Sequence, residues 1–572
     1  MEPVKLNKIE KLKRKLPPAS FLPKLEAIDE KEVDEEARFY LKNFGIYSHK
    51  LDPGRYNLRV RIPAGRITPS ALGVLAEEAS ALDARVLLTS RAQIEIHDLT
   101  LKEAVALAER VEGWGLTTWQ TYTDNFRNIV TDPLDDIAED AEIEVYDIVM
   151  AMQSLFLKAP EWVGMIPRKF NVAITGRRKQ TLSFFGNDLF FALARREDKW
   201  GFNLYAGGKN SETARSLDIF LPPEEAPAYF RAVAEIYREE GPRQSRGKAR
   251  LFHLLERTGA EGMRRRIAER LGVAVQKAGR LMIEKDEAAE TAPMKGGGVV
   301  RRYGTRLGEV TSRQLEEIAQ IAEEEGLEEI RLGCDQQIYL PGVSESRRFA
   351  HALRSRSGLL ACAGSRYCVY SLTDTKEAGA AVDSGRLERL GIRIGFSGCL
   401  KGCARHAFSD IGLVGIRTKL YADEVERGAR LYLGSEYTRG ARTGRLILYS
   451  VPMRHLSAMI DLVADLFEAS GYDDFEIFAK EVLNRYSEPA LAFWLLYNFH
   501  RSRILHYKKL LLLENIEHED EKGYFVQKLE EEGRKEDREI IALLQSEEAF
   551  PFREAIIYLE RASFRKMKSP EN

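Results

Sequence analysis

Two distant stretches of this chain repeat one pattern, and that repetition restricts the fold more than any other feature. In the first, Tyr56–Ile62 alternates like a strand, Gly65 breaks it, and Thr68-Pro69 offers an N-cap hydroxyl followed by a first-turn proline. Leu72–Leu82 then has helical spacing, and Val86–Leu88 and Ile94–Ile96 read as strands. In the second, Val299–Tyr303 alternates, Gly308 breaks it, and Thr311 can cap the helix Leu315–Glu325. Ile330–Leu332 and Ile338–Leu340 follow as strands. Gly65-x-x-Thr68 matches Gly308-x-x-Thr311, and Gln93-Ile94 matches Gln337-Ile338. Common α/β units can coincide by chance, but shared punctuation with a shared Gln-Ile favours an internal duplication.

A chain of 572 residues is too long for one ordinary core. The punctuation divides it into a charged, proline-bearing arm (1–51), a first repeat (52–116) and a mixed segment (117–285). A linker (286–298) rich in Ala and Gly leads to the second repeat (299–358) and a second mixed segment (359–486). A stretch rich in Leu, Glu, Lys and Arg at helical spacing (487–572) reads as a solvated amphipathic tail without chemistry. The formal net charge of −2 disfavours a polycation that coats nucleic acid. No apolar run reaches membrane-span length: Ala490–Tyr497 is soon interrupted by His500, Arg501 and Arg503. The lysine-rich start Met1–Leu16 lacks the apolar core of a secretory signal, so a cytoplasmic protein is expected.

Five cysteines in this length are not a disulfide framework, and their grouping carries the information. Cys362 and Cys368 are separated by five residues, Cys399 and Cys403 by three, all among small residues and glycines. Four thiolates are the ligand set of a [4Fe–4S] cube, and glycines let backbone amides approach its sulfides. A structural zinc site is the competing reading, although its cysteine pairs are ordinarily tighter. Cys334, in a strand-like run, reads as a packed apolar residue.

The sequence Cys362-x5-Cys368, Cys399-x3-Cys403, then Asp410-Ile411-Gly412-Leu413-Val414-Gly415 closely resembles the siroheme-binding signature of nitrite and sulfite reductases. The resemblance spans roughly residues 45–485, and the duplication resembles that family's paired ferredoxin-like half-repeats. It implies siroheme and a [4Fe–4S] cluster held by Cys362, Cys368, Cys399 and Cys403, with Cys403 bridging to the siroheme iron. Leu400-Lys401 stands where the family usually has Pro-Asn. The implied fold class is α+β: the half-repeats form one pseudo-symmetric module, with two further mixed α/β domains and the helical tail.

A site for a small oxyanion and a polycarboxylate macrocycle needs several fixed cations, and forked guanidinium donors suit both. Three basic segments resemble family motifs. Thr89-Ser90-Arg91-Ala92-Gln93 would place Arg91 on the substrate and Gln93 on the cofactor, with Ala92 where the family often has Gln. Asp124-Asn125-Phe126-Arg127-Asn128 would place Arg127 on substrate or siroheme, and Pro167-Arg168-Lys169-Phe170-Asn171 would place Lys169 on the substrate. Gly207 and Gly208, after Gly201-Phe202-Asn203, resemble the glycine-rich stretch near the siroheme. His97 reads as structural, and His406 is left unassigned.

The resemblance implies six-electron reduction of nitrite to ammonia. Reduction of sulfite to sulfide with the same cofactors is the alternative, and a non-catalytic iron–sulfur carrier the third reading. Asn171 favours nitrite, because sulfite-specialised relatives typically carry a second lysine there; Thr375-Lys376 points the same way. No Gly-x-Gly-x-x-Gly opens a dinucleotide domain, so electrons are expected from an external carrier such as ferredoxin. A monomer is expected.

Overall fold

The repeated glycines and threonines do what their spacing predicts, and they also join the two copies. In the computed structural model, Tyr56–Val60, Ile94–Leu99 and Val86–Leu88 form an antiparallel sheet with Ile46–Ser48 on one edge. Its other edge is Glu309–Val310, contributed by the second copy. The second copy builds the matching sheet from Thr291–Pro293, Val299–Tyr303, Ile338–Pro341 and Ile330–Leu332, and receives Arg66–Ile67 from the first. Each copy therefore lends the other one edge strand.

Gly65 and Gly308 precede the exchanged strands, both with positive φ (75° and 88°). A Cβ on Gly65 would stand 2.2 Å from the Leu332 carbonyl oxygen, and one on Gly308 2.8 Å from that of Leu88. Only glycine tolerates both the backbone angle and the approach. Thr68 and Thr311 cap the helices Pro69–Ala81 and Ser312–Glu324, which pack on each other.

The described residues are 6–48, 51–286, 290–353, 358–514, 520–546 and 550–565. Parts of the expected arm (1–5, 49–50), linker (287–289), second repeat (354–357) and tail (515–519, 547–549, 566–572) lie outside them. Two compact units result: Met1–Ser357 with Tyr367–Val369 and Thr438–Ala441, and Gly358–Arg366 with Tyr370–Tyr437 and Arg442–Asn572. The expected linker is partly ordered structure: Thr291–Pro293 is an edge strand, and Gly296, Gly297 and Gly298, all at positive φ, turn it back toward Val299.

A second duplication escaped the sequence reading. In the first unit Val172–Ile174 runs parallel to Leu189–Arg196, which is followed by antiparallel Lys199–Ala206 and Arg215–Leu221 and the helix Ala226–Glu240. In the second, Ile394–Ser397 runs parallel to Ile411–Thr418, followed by antiparallel Glu426–Leu433 and Arg445–Pro452 and the helix Met453–Ser470. In both, an aspartate before the second strand accepts the backbone N–H of the residue before the first: Asp188 from Asn171 and Asp410 from Arg393, each at 2.8 Å.

The expected solvated tail is helical but not solvated at its start. Every residue of Ala490–Phe499 is buried, and the helix Glu488–Phe499 packs on Arg445–Pro452. Ala490–Tyr497 is short for a membrane and apolar because it is core. No helix among the described residues is long and apolar enough to cross a membrane.

Candidate active site

Two buried phenylalanines bring the basic segments together. Phe126 and Phe170 form a parallel bridge in which Arg127 N donates to Phe170 O (2.8 Å) and Phe170 N to Asn125 O (3.0 Å). Their rings, 5.2 Å apart, enter an aromatic core with Phe156, Trp162 and Phe230. In extended chain, neighbours of a core-facing residue point the other way, so Arg127, Lys169 and Asn171 share the opposite side.

Arg91 reaches the same place from a turn built by Thr89, whose Oγ1 accepts the N–H groups of Arg91 and Gln93 (both 3.2 Å), with Ala92 at φ 50°. Its Nη2 donates to Asn128 O (2.6 Å) and Val172 O (3.1 Å), just beyond the two bridged residues, and its Nη1 to Asn187 Oδ1 (2.9 Å). The segments carrying Arg127, Lys169 and Asn171 are thus brought to Arg91 within the first unit.

The cluster is overloaded with positive charge. Burial, and then Arg59, Arg168 and Arg91, drive the Arg127 guanidinium well below the usual arginine range. Arg61, wholly buried, is pushed down to about 9 by burial and by Arg91, and its Nη2 meets only the carbonyls of Gln120 (3.0 Å) and Phe126 (2.8 Å). A cluster whose cations repel one another is set to bind an anion, which relieves the repulsion.

Sequence reasoning missed Arg59, Arg61 and the groups that hold the cluster in place. Arg59 lies 4.0 Å over the Tyr122 ring and pairs with buried Glu95, which also accepts Tyr122 OH (2.8 Å). Burial would raise the Glu95 carboxyl, but Arg59 and His97 hold it well below its usual range. Asp124 is likewise held low against burial by Lys13, Arg246 and Arg168. Lys13, on the helix Lys8–Lys15, is 2.9 Å from Asp124 and donates to Ile166 O (2.8 Å). The arm therefore buttresses the Arg127 segment; a lysine in a lysine-rich leader gives no sign of this.

The cysteines occupy strand ends. Leu359–Ala361 and Ile394–Ser397 are adjacent parallel strands, and Cys362 and Cys399 lie just beyond their carboxyl ends, where open α/β sheets bind ligands. Cys403 follows the turn closed by Gly402 N to Cys399 O (3.2 Å). Backbone N–H groups of Gly398 (3.1 Å) and Gly364 (3.4 Å) point at Cys362 Sγ. These three cysteines belong to the second unit. Cys368 belongs to the first, beside Tyr367, whose hydroxyl donates to Glu309 (2.7 Å) and whose ring packs on His97. Among the described residues no three His, Cys, Asp or Glu side chains are gathered closely enough to hold a metal ion. Cys334 is buried, 1% exposed. His97 is buried against Glu95 (3.3 Å), a structural role. His406 is pushed down to about 4 by burial, with Nδ1 3.3 Å from Ser397 Oγ.

Comparison with known proteins bears on the fold and the family. The profile described as nitrite and sulphite reductase 4Fe-4S domain matches residues 122–275, and that of the nitrite/sulfite reductase ferredoxin-like half domain matches 49–113 and 292–350. The latter are the strand-exchanging copies. The matched segments are those of the nitrite and sulfite reductase family. The ferredoxin–nitrite reductase of Synechococcus elongatus is 28% identical, over 82% of this chain and 98% of that protein. The chloroplastic ferredoxin–nitrite reductase of Oryza sativa is 27% identical, over 78% and 81%. The solved structure of the Mycobacterium tuberculosis NirA protein superposes with TM-score 0.76 at 21% identity, covering 85% of this chain and 97% of that one, and shows the shared fold.

The family implies siroheme and a [4Fe–4S] cluster, and two local features accord with such groups although the four cysteines are not gathered among the described residues. Backbone amides aimed at Cys362 Sγ are what a cluster thiolate requires, because they offset its charge. Gln93 is fully buried with both side-chain polar atoms unpartnered. Its counterpart in the second copy, Gln337, accepts Thr305 N (3.3 Å). A buried amide without partners is costly, so Gln93 fits a role toward a bound group. Gly208 has a sufficient reason within the protein: its Cβ would stand 2.2 and 2.3 Å from the Asn187 and Phe185 carbonyl oxygens. Gly207, at φ 82°, supplies the turn beside it.

Proposed function

We propose that this protein reduces nitrite to ammonia with electrons from ferredoxin. The gathering of Arg91, Arg127, Lys169 and Asn171 on one cation-rich face carries the reading, and the relatives' names support both substrate and donor. When bound, siroheme supplies an open iron position for the anion, and the cluster supplies electrons singly. Cys362, Cys368, Cys399 and Cys403 would hold the cluster, with Cys403 shared between the two groups. Arg127, Gln93, Gly207 and Gly208 would face the macrocycle.

Arg91 and Arg127 are held by backbone carbonyls, so their guanidinium groups are preorganised where an oxyanion would be met. Lys169, half-buried, is the one primary ammonium in the motif segments and would give protons as N–O bonds break. The decisive experiment is steady-state reduction of nitrite and sulfite by pure protein with a chemical reductant. Turnover of neither anion by protein showing siroheme bands would overturn the reading.

Lys169→Ala is expected to keep its siroheme absorbance while kcat/KM for nitrite falls by about 2–5 kcal/mol, the range for removing one partner of a desolvated charge pair. Near-normal kinetics would show that the ammonium is not in the pocket. Asn171 should set the preference. Nitrite is a small monoanion that a neutral amide can hydrogen-bond, whereas sulfite can carry two charges and gains from a second ammonium. Wild type is expected to favour nitrite, and Asn171→Lys to shift the kcat/KM ratio toward sulfite. A wild type that prefers sulfite would refute the substrate assignment.

A further inference from the structure

We infer that Asn187 is a positioning residue for substrate: it sets the direction of the Arg91 fork and acts on the anion only through that guanidinium. This rests on the nitrite reading above. The dipeptide Asn187-Asp188 is wholly buried and touches three separate segments of the pocket. Asn187 Oδ1 accepts Arg91 Nη1 (2.9 Å), ninety-six residues away in sequence. Asp188 Oδ2 accepts Asn171 N (2.8 Å), and its backbone carbonyl accepts Gly207 N (2.8 Å). Arg250 locks the dipeptide through two bonds of 2.7 Å to the Asp188 carboxylate.

Arg91 Nη2 donates to the backbone carbonyls of Asn128 and Val172, which any side-chain change leaves in place. Asn187 holds the other arm of the fork, Nη1, through a side chain that can be replaced. It also has a separable structural bond, because its Nδ2 donates to Phe184 O (2.8 Å) and closes the 184–187 turn. The second unit repeats the aspartate, as Asp410 on Arg393 N, but has Ser409 where the first has Asn187. The aspartate thus belongs to the duplicated scaffold, and the asparagine to this half alone.

The test is a double-mutant cycle read by binding. Nitrite is titrated into oxidised holoenzyme and the change in the visible siroheme spectrum gives Kd for wild type, Asn187→Ala, Arg91→Lys and the double variant. Siroheme content and thermal midpoint are measured for each. Losing a hydrogen bond to a charged group should weaken nitrite about tenfold in Asn187→Ala, with siroheme content unchanged and KM raised more than kcat falls. In the Arg91→Lys background the same change should be nearly silent, since the fork it aims is gone. Additive effects in the cycle, or an Asn187→Ala variant that binds nitrite as tightly as wild type, would overturn the inference. Wild type that binds and reduces no nitrite would instead refute the reading beneath it.

Discussion

Cys403→Ser is expected to yield protein without cluster or siroheme, with turnover reduced by more than about 100-fold, the upper range for partners that merely orient a ligand. The hydroxyl of serine stays protonated at neutral pH and is a harder donor than thiolate, so it does not replace a cluster ligand. Cys403 should give the largest loss of the four on the proposal that it holds both the cluster and siroheme. Cys362→Ser, Cys368→Ser and Cys399→Ser should lose iron and acid-labile sulfide as well. At Cys362 the backbone donors from Gly364 and Gly398 would be left facing a neutral oxygen. Cys334→Ser, buried in the first unit and outside the paired signature in sequence, should retain full cluster content. Iron and sulfide analysis of the five variants decides the matter. Normal content in any of the four, or loss confined to Cys334→Ser, would reassign the ligands.

Truncation before Glu488 is expected to abolish folding of the second unit. Leu491, Phe493, Trp494, Leu495, Leu496, Tyr497 and Phe499 are all at most 2% exposed. At about 1.5–3 kcal/mol per buried side chain, their loss matches or exceeds the 5–15 kcal/mol net stability of an ordinary domain. The helix also makes polar ties: Trp494 Nε1 to Leu511 O (2.7 Å), Leu511 N to Asn498 Oδ1 (2.8 Å), and Tyr497 OH to Asp537 (2.8 Å). It lies on Arg445–Pro452, in the sheet whose parallel strands end at Cys362 and Cys399. Cofactor loss should therefore accompany unfolding. Trp494→Ala in the full chain is the milder test and should cost about 3–5 kcal/mol by thermal or denaturant unfolding. A soluble, cofactor-bearing protein ending at residue 487 would show that this helix is dispensable.

What the sequence determined by itself was local or punctuated. Gly65, Thr68, Gly308 and Thr311 mark the paired repeats because a positive φ and an N-cap each demand particular residue types. The cysteine spacing and the three basic motifs marked a candidate site for the same reason, since thiolate and guanidinium chemistry has few substitutes. The second duplication was invisible: Val172–Ile174 and Ile394–Ser397 share a strand register and an aspartate tie, and a buried parallel strand accepts almost any apolar residue. Ala490–Phe499 was misjudged because its amphipathic neighbours set the character of the whole tail, whereas its burial depends on a sheet distant in sequence. Lys13, Arg59, Arg61 and Asn187 carry no motif at all. A lone lysine, arginine or asparagine is ordinarily a solvated residue, and only tertiary packing brings these four to Asp124, Glu95, the Phe126 carbonyl and Arg91.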